Sequence, residues 1–185
     1  MNIEWKRIEP TSIEKVGAFR TLVRKNFELP DGTLREFVTK EKESSHAQAV
    51  VALTPDGHVI LARQFRPGPE KIMYELPGGG AEAGETPQEA ALRELEEETG
   101  YRAGSVEHLG DVYKDAYTNT RWSYFLAHDC VPTGNGQQTD STEFIEPVLV
   151  TVSELFEIAR GAQMTDTEAL FFAYDSLKQI ERRNR

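Results

Sequence analysis

The sequence predicts an α+β fold, an α/β/α sandwich preceded by a small antiparallel β unit. Two nearly continuous apolar runs, AVVAL and VILA, flank a Pro-Asp-Gly turn, as expected of strands covered on both faces. A strongly capped helix follows, then further strands and two C-terminal helices. This order is not a regular βαβ repeat, so strands and helices segregate into layers around a sheet.

The elements follow in chain order. Residues 18–29 (AFRTLVRKNFEL) and 33–39 (TLREFVT) read as strands joined by Pro30-Asp31-Gly32, a β-hairpin. His46–Leu53 and His58–Phe65 form a second pair across Thr54-Pro55-Asp56-Gly57. Gly78 to Gly80 read as a turn. Thr86 is a good N-cap, Pro87 suits the first helical position and Glu89 completes a capping box. The helix runs from Pro87 to about Thr99 and closes at Gly100, where a positive φ is tolerated. Residues 105–113 and 121–128 read as strands, the second alternating Trp122, Tyr124 and Leu126. The polar, Gly-rich stretch 131–142 reads as a mobile surface loop. Phe144 to Val152 returns to strand, Ser153 caps a short helix ending at Gly161, and Thr165 with Glu168 opens a final helix. We divide the chain into an N-terminal β extension, residues 1–45, and a main domain, residues 46–185.

Composition narrows the function classes. With 185 residues and 38% hydrophobic content the chain can bury a substantial core. A net charge of −10 argues against non-specific binding to nucleic acid or anionic membranes. Cys130 is the only cysteine, which excludes an intrachain disulfide and suits a reducing cytoplasm. The start, MNIEWKRIEP, has no apolar leader core, and no stretch is long enough to span a membrane.

The chemistry concentrates in residues 79–101, GGAEAGETPQEAALRELEEETGY. Glu94, Glu97 and Glu98 stand at i, i+3 and i+4, so their carboxylates share one helix face. Most Glu-rich faces are merely solvated. Here the helix has a packing side (Ala90, Ala91, Leu92, Leu95) and gathers like charges, where a solvated face would mix signs. Three crowded carboxylates repel unless a cation lies between them, and hard oxygen ligands suit Mg²⁺ or Mn²⁺. An acidic protein with a polyphosphate substrate needs such a cation to reconcile the charges. His46, His58, His108 and His128 show no metal-ligand spacing.

These residues resemble the Nudix hydrolase box, G-x5-E-x7-R-E-U-x-E-E-x-G-U. Every fixed position matches but the last, where Tyr101 replaces a small aliphatic. The resemblance implies a mixed central sheet between helices and a metal-dependent hydrolysis of diphosphate linkages. It implies Glu94 and Glu98 as direct metal ligands, Glu97 as ligand or near-ligand, and the Gly78 carbonyl beside them. For Glu85, placed in the loop, and Arg93, placed on the helix, it implies an ion pair that braces the loop on the helix. The resemblance also implies a further carboxylate beyond the box: Glu143 is preferred, with Glu146 and Asp140 as alternatives.

Outside the box, Gln64-Phe65-Arg66 and Glu75-Leu76-Pro77-Gly78-Gly79 are similar to the ADP-ribose and nucleoside diphosphate sugar hydrolases. So is the N-terminal β unit, which in that branch serves dimerisation and substrate binding. Arg66, Glu75, Phe27 and Tyr117 are therefore the substrate-binding candidates. Arg66 suits a phosphate, or else an ion pair with Glu70 or Glu75. Phe27, Tyr117 or Trp5 suits a stacked base, although most aromatics at such positions are core. The branch carries a proline beyond the box that is missing from Lys114-Asp115-Ala116-Tyr117-Thr118. Tyr117 there is instead similar to the tyrosine of dinucleoside polyphosphate hydrolases. The expected substrate is ADP-ribose or a related nucleoside diphosphate sugar, with dinucleoside polyphosphates as the alternative. The expected assembly is a homodimer. A non-catalytic ligand sensor fits less well, because every box carboxylate is present and no basic helix-turn-helix extension is visible.

Overall fold

The computed structural model describes residues 3–17, 20–139 and 144–184. It divides into two compact units. One comprises Met1–His46 with Val112–Trp122, the other Ala47–Asp111 with Ser123–Arg185.

The first unit contains three strands, β1 (Lys6–Val16), β2 (Arg20–Glu28) and β3 (Leu34–Lys40), in an antiparallel sheet of that order. The expected hairpin is thus β2–β3, and β1 is an addition that the sequence reading missed. Its residues KRIEPTSIEKV are almost all exposed, with Pro10 where the register shifts between Ile8 and Ser12. An edge strand tolerates a proline and needs little apolar content, so its sequence carries no clear alternation. Trp5, Phe27 and Phe37 pack together, with the Trp5 and Phe37 ring centroids 4.9 Å apart.

The main sheet is mixed and has seven strands: β4 (His46–Leu53), β5 (Val59–Arg66), β6 (Lys71–Glu75), β7 (Gly78–Gly80), β9 (Ser105–Val112), β10 (Arg121–His128) and β12 (Glu146–Val150). Their order is β12-β5-β4-β10-β9, with β6 on β5 and β7 on β4. Short strands β8 (Tyr101–Arg102) and β11 (Val131–Pro132) pair separately. As the apolar runs required, β4 is buried at every position from Ala47 to Leu53, and β5 from Val59 to Ala62.

Helices α1 (Pro87–Thr99), α2 (Val152–Arg160), α3 (Glu168–Phe172) and α4 (Tyr174–Arg183) complete the fold. On one face of the sheet Val50, Ala52, Ile60, Phe125 and Ala127 pack with Ala91 and Leu95 of α1. The neighbouring residue Tyr124 points the other way and meets Phe172 of α3, ring to ring at 6.2 Å. Helices therefore cover both faces, as the predicted layering requires.

Three expectations need correction. Gly78 to Gly80 form a strand paired with Ala47–Ala49, not a turn, because the ladder uses backbone groups that glycine also has. The cap of α2 is Thr151, not Ser153: its hydroxyl accepts from the Glu154 amide and Glu154 bonds back. The last helix starts at Glu168 rather than Thr165 and is interrupted at Ala173, and the Thr165 hydroxyl donates to Asp166 instead.

Candidate active site

Helix α1 is positioned from both ends. At its start the capping box forms as the sequence dictates: Glu89 N–H donates to the Thr86 hydroxyl at 3.3 Å, and Thr86 N–H donates to Glu89 at 2.9 Å. At its end Gly100 adopts φ 73° and donates to the Glu96 carbonyl. The last carbonyls of a helix have no internal partner. Here the stretch read as a mobile loop supplies partners: Thr133 N–H donates to Gly100, Gln138 N–H to Glu97, and the Gln137 amide to Glu98. That stretch is therefore anchored through residue 138. Of these three donors only the Gln137 amide is a side chain; the other two are backbone N–H groups.

Two box carboxylates converge on β7. Glu98 is buried, and its Oε2 accepts the Gly78 N–H at 3.0 Å. Glu94 lies against the next residue, because a Cβ built on Gly79 would stand 2.5 Å from Glu94 Oε1. Glu97 turns elsewhere and accepts from Arg93 Nη1 at 2.7 Å.

Arg93 forms the brace that the resemblance implies. It donates from Nε to Glu85 Oε1 at 2.9 Å and from Nη2 to Glu85 Oε2 at 3.2 Å. It also approaches Glu94 Oε1 at 3.1 Å and reaches the Gly80 carbonyl. The bonds to Glu85, and then to Glu97, push its pKa far above the ordinary arginine value. The same pair holds the Glu85 carboxyl below the usual carboxylate range, helped by the Glu82 N–H.

The donor set suits a hard divalent cation: two carboxylates at i and i+4, both against Gly78–Gly79. Among the described residues no group of three or more Asp, Glu, His or Cys is gathered to hold a metal. Within the box the arrangement is a pair, Glu94 and Glu98, with Glu97 directed to Arg93. Glu143, the preferred downstream carboxylate, and Asp140 lie outside the described residues. Glu146 opens β12 and is paired with Arg63 at 2.5 Å.

Arg66 stands at the end of β5 and grips Glu75 with two bonds, Nε to Oε1 at 2.7 Å and Nη2 to Oε2. Glu75 is buried and also accepts from Gln64 at 3.2 Å, so it anchors Arg66. Chiefly the Glu75 bonds, and more weakly the charges of Glu98 and Asp166, raise the Arg66 pKa. Asp166 is buried at the end of a segment that bonds along β6, where Tyr74 N–H donates to Gln163 and Thr165 N–H to Tyr74. Sequence reasoning missed Asp166, because nothing in MTDTE marks its approach to Arg66. Phe27 and Tyr117 belong to the other unit. Phe27 packs with Trp5 and Phe37, whereas Tyr117 is 54% exposed.

A sheet between helices, carrying a braced helix whose carboxylates close on a glycine strand, defines a class. The chain belongs to the NUDIX domain family, which matches residues 44–170. It is similar to the ADP-ribose pyrophosphatase of Bacillus subtilis (strain 168), 31% identical over 94% of this chain and 96% of that one. It is also similar to the ADP-ribose pyrophosphatase of Saccharomyces cerevisiae, 31% identical over 78% of this chain and 68% of that one. Among solved structures an ADP compounds hydrolase superposes with a TM-score of 0.81, covering 98% of this chain and 99% of that one. At 22% identity that likeness establishes the fold. The resemblance to the ADP-ribose pyrophosphatase branch is thereby borne out.

Proposed function

We propose that this Nudix enzyme hydrolyses the diphosphate linkage of ADP-ribose or a related nucleoside diphosphate sugar, releasing a nucleoside monophosphate and a sugar phosphate. The observation that carries this reading is the convergence of Glu94 and Glu98 on Gly78–Gly79, with Arg93 and Glu85 bracing the helix behind them. The names of the two relatives supply the substrate class.

Glu94 and Glu98, with the Gly78 carbonyl, hold Mg²⁺ or Mn²⁺, and Glu97 supports them through Arg93. A bound divalent ion neutralises charge on the diphosphate and lowers the pKa of water. The chain's own part is geometric. Arg93 keeps Glu94 directed at β7. Arg66 has Nε and Nη2 committed to Glu75, which leaves Nη1 for a phosphate oxygen. Glu143, or else Glu146, takes the proton of the attacking water. Phe27 and Tyr117 are the candidates for base recognition, and the chain acts as a homodimer. The setting is the cytoplasm; no helix among the described residues is long and apolar enough to cross a membrane.

The exposed Tyr117 favours a second reading, hydrolysis of dinucleoside polyphosphates. A panel of ADP-ribose, GDP-mannose, other sugar nucleotides and diadenosine polyphosphates, assayed with Mg²⁺ for monophosphate release, separates the two. ADP-ribose is expected to have the highest kcat/KM. Absence of turnover on every diphosphate would sink the enzyme reading.

A further inference from the structure

Gln48 lies within β4 with its side chain fully buried, and neither its amide oxygen nor its amide nitrogen has a hydrogen-bond partner. Exchanging the two ends of the amide changes nothing, because both are unmatched. A buried unpaired amide costs free energy that an apolar side chain of equal volume avoids. Its presence between Ala47 and Ala49, in a strand otherwise wholly apolar from there to Leu53, therefore calls for a function or an unseen partner.

The direction of the side chain is given twice. Gln48, Val50 and Ala52 alternate along β4 and share a face, and Val50 and Ala52 pack against Ala91 and Leu95 of α1. Gln48 is also directly opposite Gly79 in the β4–β7 ladder, and opposed residues project to the same side. On that side a Cβ of Gly79 would stand 2.5 Å from Glu94 Oε1. The amide is thus aimed beneath α1, toward the place where the Glu94 carboxylate rests.

We propose that Gln48 is a positioning residue for Glu94, acting through one buried water. A polar cavity holds such a water when two to four groups can bond to it. The Gln48 amide and the Glu94 carboxylate are such groups. The water donates to one Glu94 oxygen and thereby presents the other to the divalent cation. This inference rests on the reading that Glu94 and Glu98 hold that cation.

The test compares wild type, Gln48→Met and Glu98→Gln by melting temperature, by Mn²⁺ affinity from electron paramagnetic resonance of the free ion, and by steady-state kinetics with Mg²⁺. Methionine is close in volume and apolar. Gln48→Met is expected to melt at or above the wild-type temperature, yet to bind Mn²⁺ roughly tenfold more weakly. Its kcat should fall by a similar factor while KM for the nucleotide sugar stays unchanged. Unchanged Mn²⁺ affinity in Gln48→Met, with affinity lost in Glu98→Gln, overturns the role of Gln48 alone. Unchanged affinity in Glu98→Gln removes the metal site, and the role of Gln48 with it. If Gln48→Met does not fold, a high-resolution crystal structure of the wild-type protein decides. A water bonded to both Gln48 and Glu94 supports the proposal, and a dry amide overturns it.

Discussion

The Gly78 amide donates to Glu98 Oε2 at 3.0 Å, so the buried carboxylate on α1 is held by the backbone of the strand it faces. Gly78 and Gly79 are both required to be small, for different reasons. A Cβ on Gly78 would meet the Gln48 carbonyl at 2.2 Å and the Ala49 Cα at 2.7 Å, whereas the nearest atoms to a Cβ on Gly79 are those of the Glu94 carboxylate, at 2.5 Å and beyond. The first clash is with backbone and the second with a group that can swing.

Gly78→Ala is therefore expected to lose about 1–3 kcal/mol of stability by overpacking. Gly79→Ala should keep its urea midpoint while kcat falls roughly ten- to a hundredfold, because Glu94 is displaced. Equal stability losses in the two variants would contradict the assignment.

The Arg93–Glu85 pair links stability to acid. Glu85 has its pKa lowered below the ordinary value of 4.5, first by the Arg93 bond. A lowered carboxylate pKa contributes stability that is fully present above the unfolded value and is lost as pH falls through the folded one. Wild type should thus exceed Glu85→Gln in melting temperature at pH 7, and the gap should narrow below about pH 4.5. A gap that stays constant down to pH 3 would show that the pair does not set it.

Arg66 has both a structural and a proposed binding role, and a double mutant separates them. Arg66→Met strands the buried Glu75 carboxylate and should lower stability, and adding Glu75→Gln should restore most of it. KM for ADP-ribose should remain raised in both variants, by about tenfold for one lost charged contact. Recovery of KM together with stability would remove Arg66 from phosphate binding.

Cys130 is buried in the core beneath α1, and burial pushes its thiol up to about 11. The native protein should not react with a thiol reagent at pH 8, while the unfolded chain should consume one equivalent. Rapid labelling of the native state would show that this part of the core opens.

Much of the site is visible in the chain because its logic is local. The Thr86–Glu89 capping box, the Gly100 terminus and the Glu85–Arg93 reach depend on neighbours within one loop and one helix. The i, i+4 offset likewise puts Glu94 and Glu98 on one face before any tertiary contact forms. Other features have no local signature. The edge strand β1 is exposed and poor in apolar residues, and the Thr133, Gln137 and Gln138 donors reach the end of α1 from more than thirty residues away.

By itself the sequence determined the layered fold class, the capped helix and the face that carries Glu94, Glu97 and Glu98. Only the tertiary structure decided how that face is divided. Glu97 is the local exception: the Arg93 guanidinium one turn back on the same helix accounts for its direction. Glu98 goes to Gly78 because β7 brings an N–H to the buried side of α1. The β5–β6 register places Gln64, Arg66 and Glu75 on one face, where the long Arg66 and Glu75 side chains reach each other across the offset between their positions, and Asp166 comes near only when the C-terminal segment lies along β6. Helical periodicity orders side chains within a few turns. Which buried donor each carboxylate reaches depends on strand pairing between distant parts of the chain, and that no local pattern encodes.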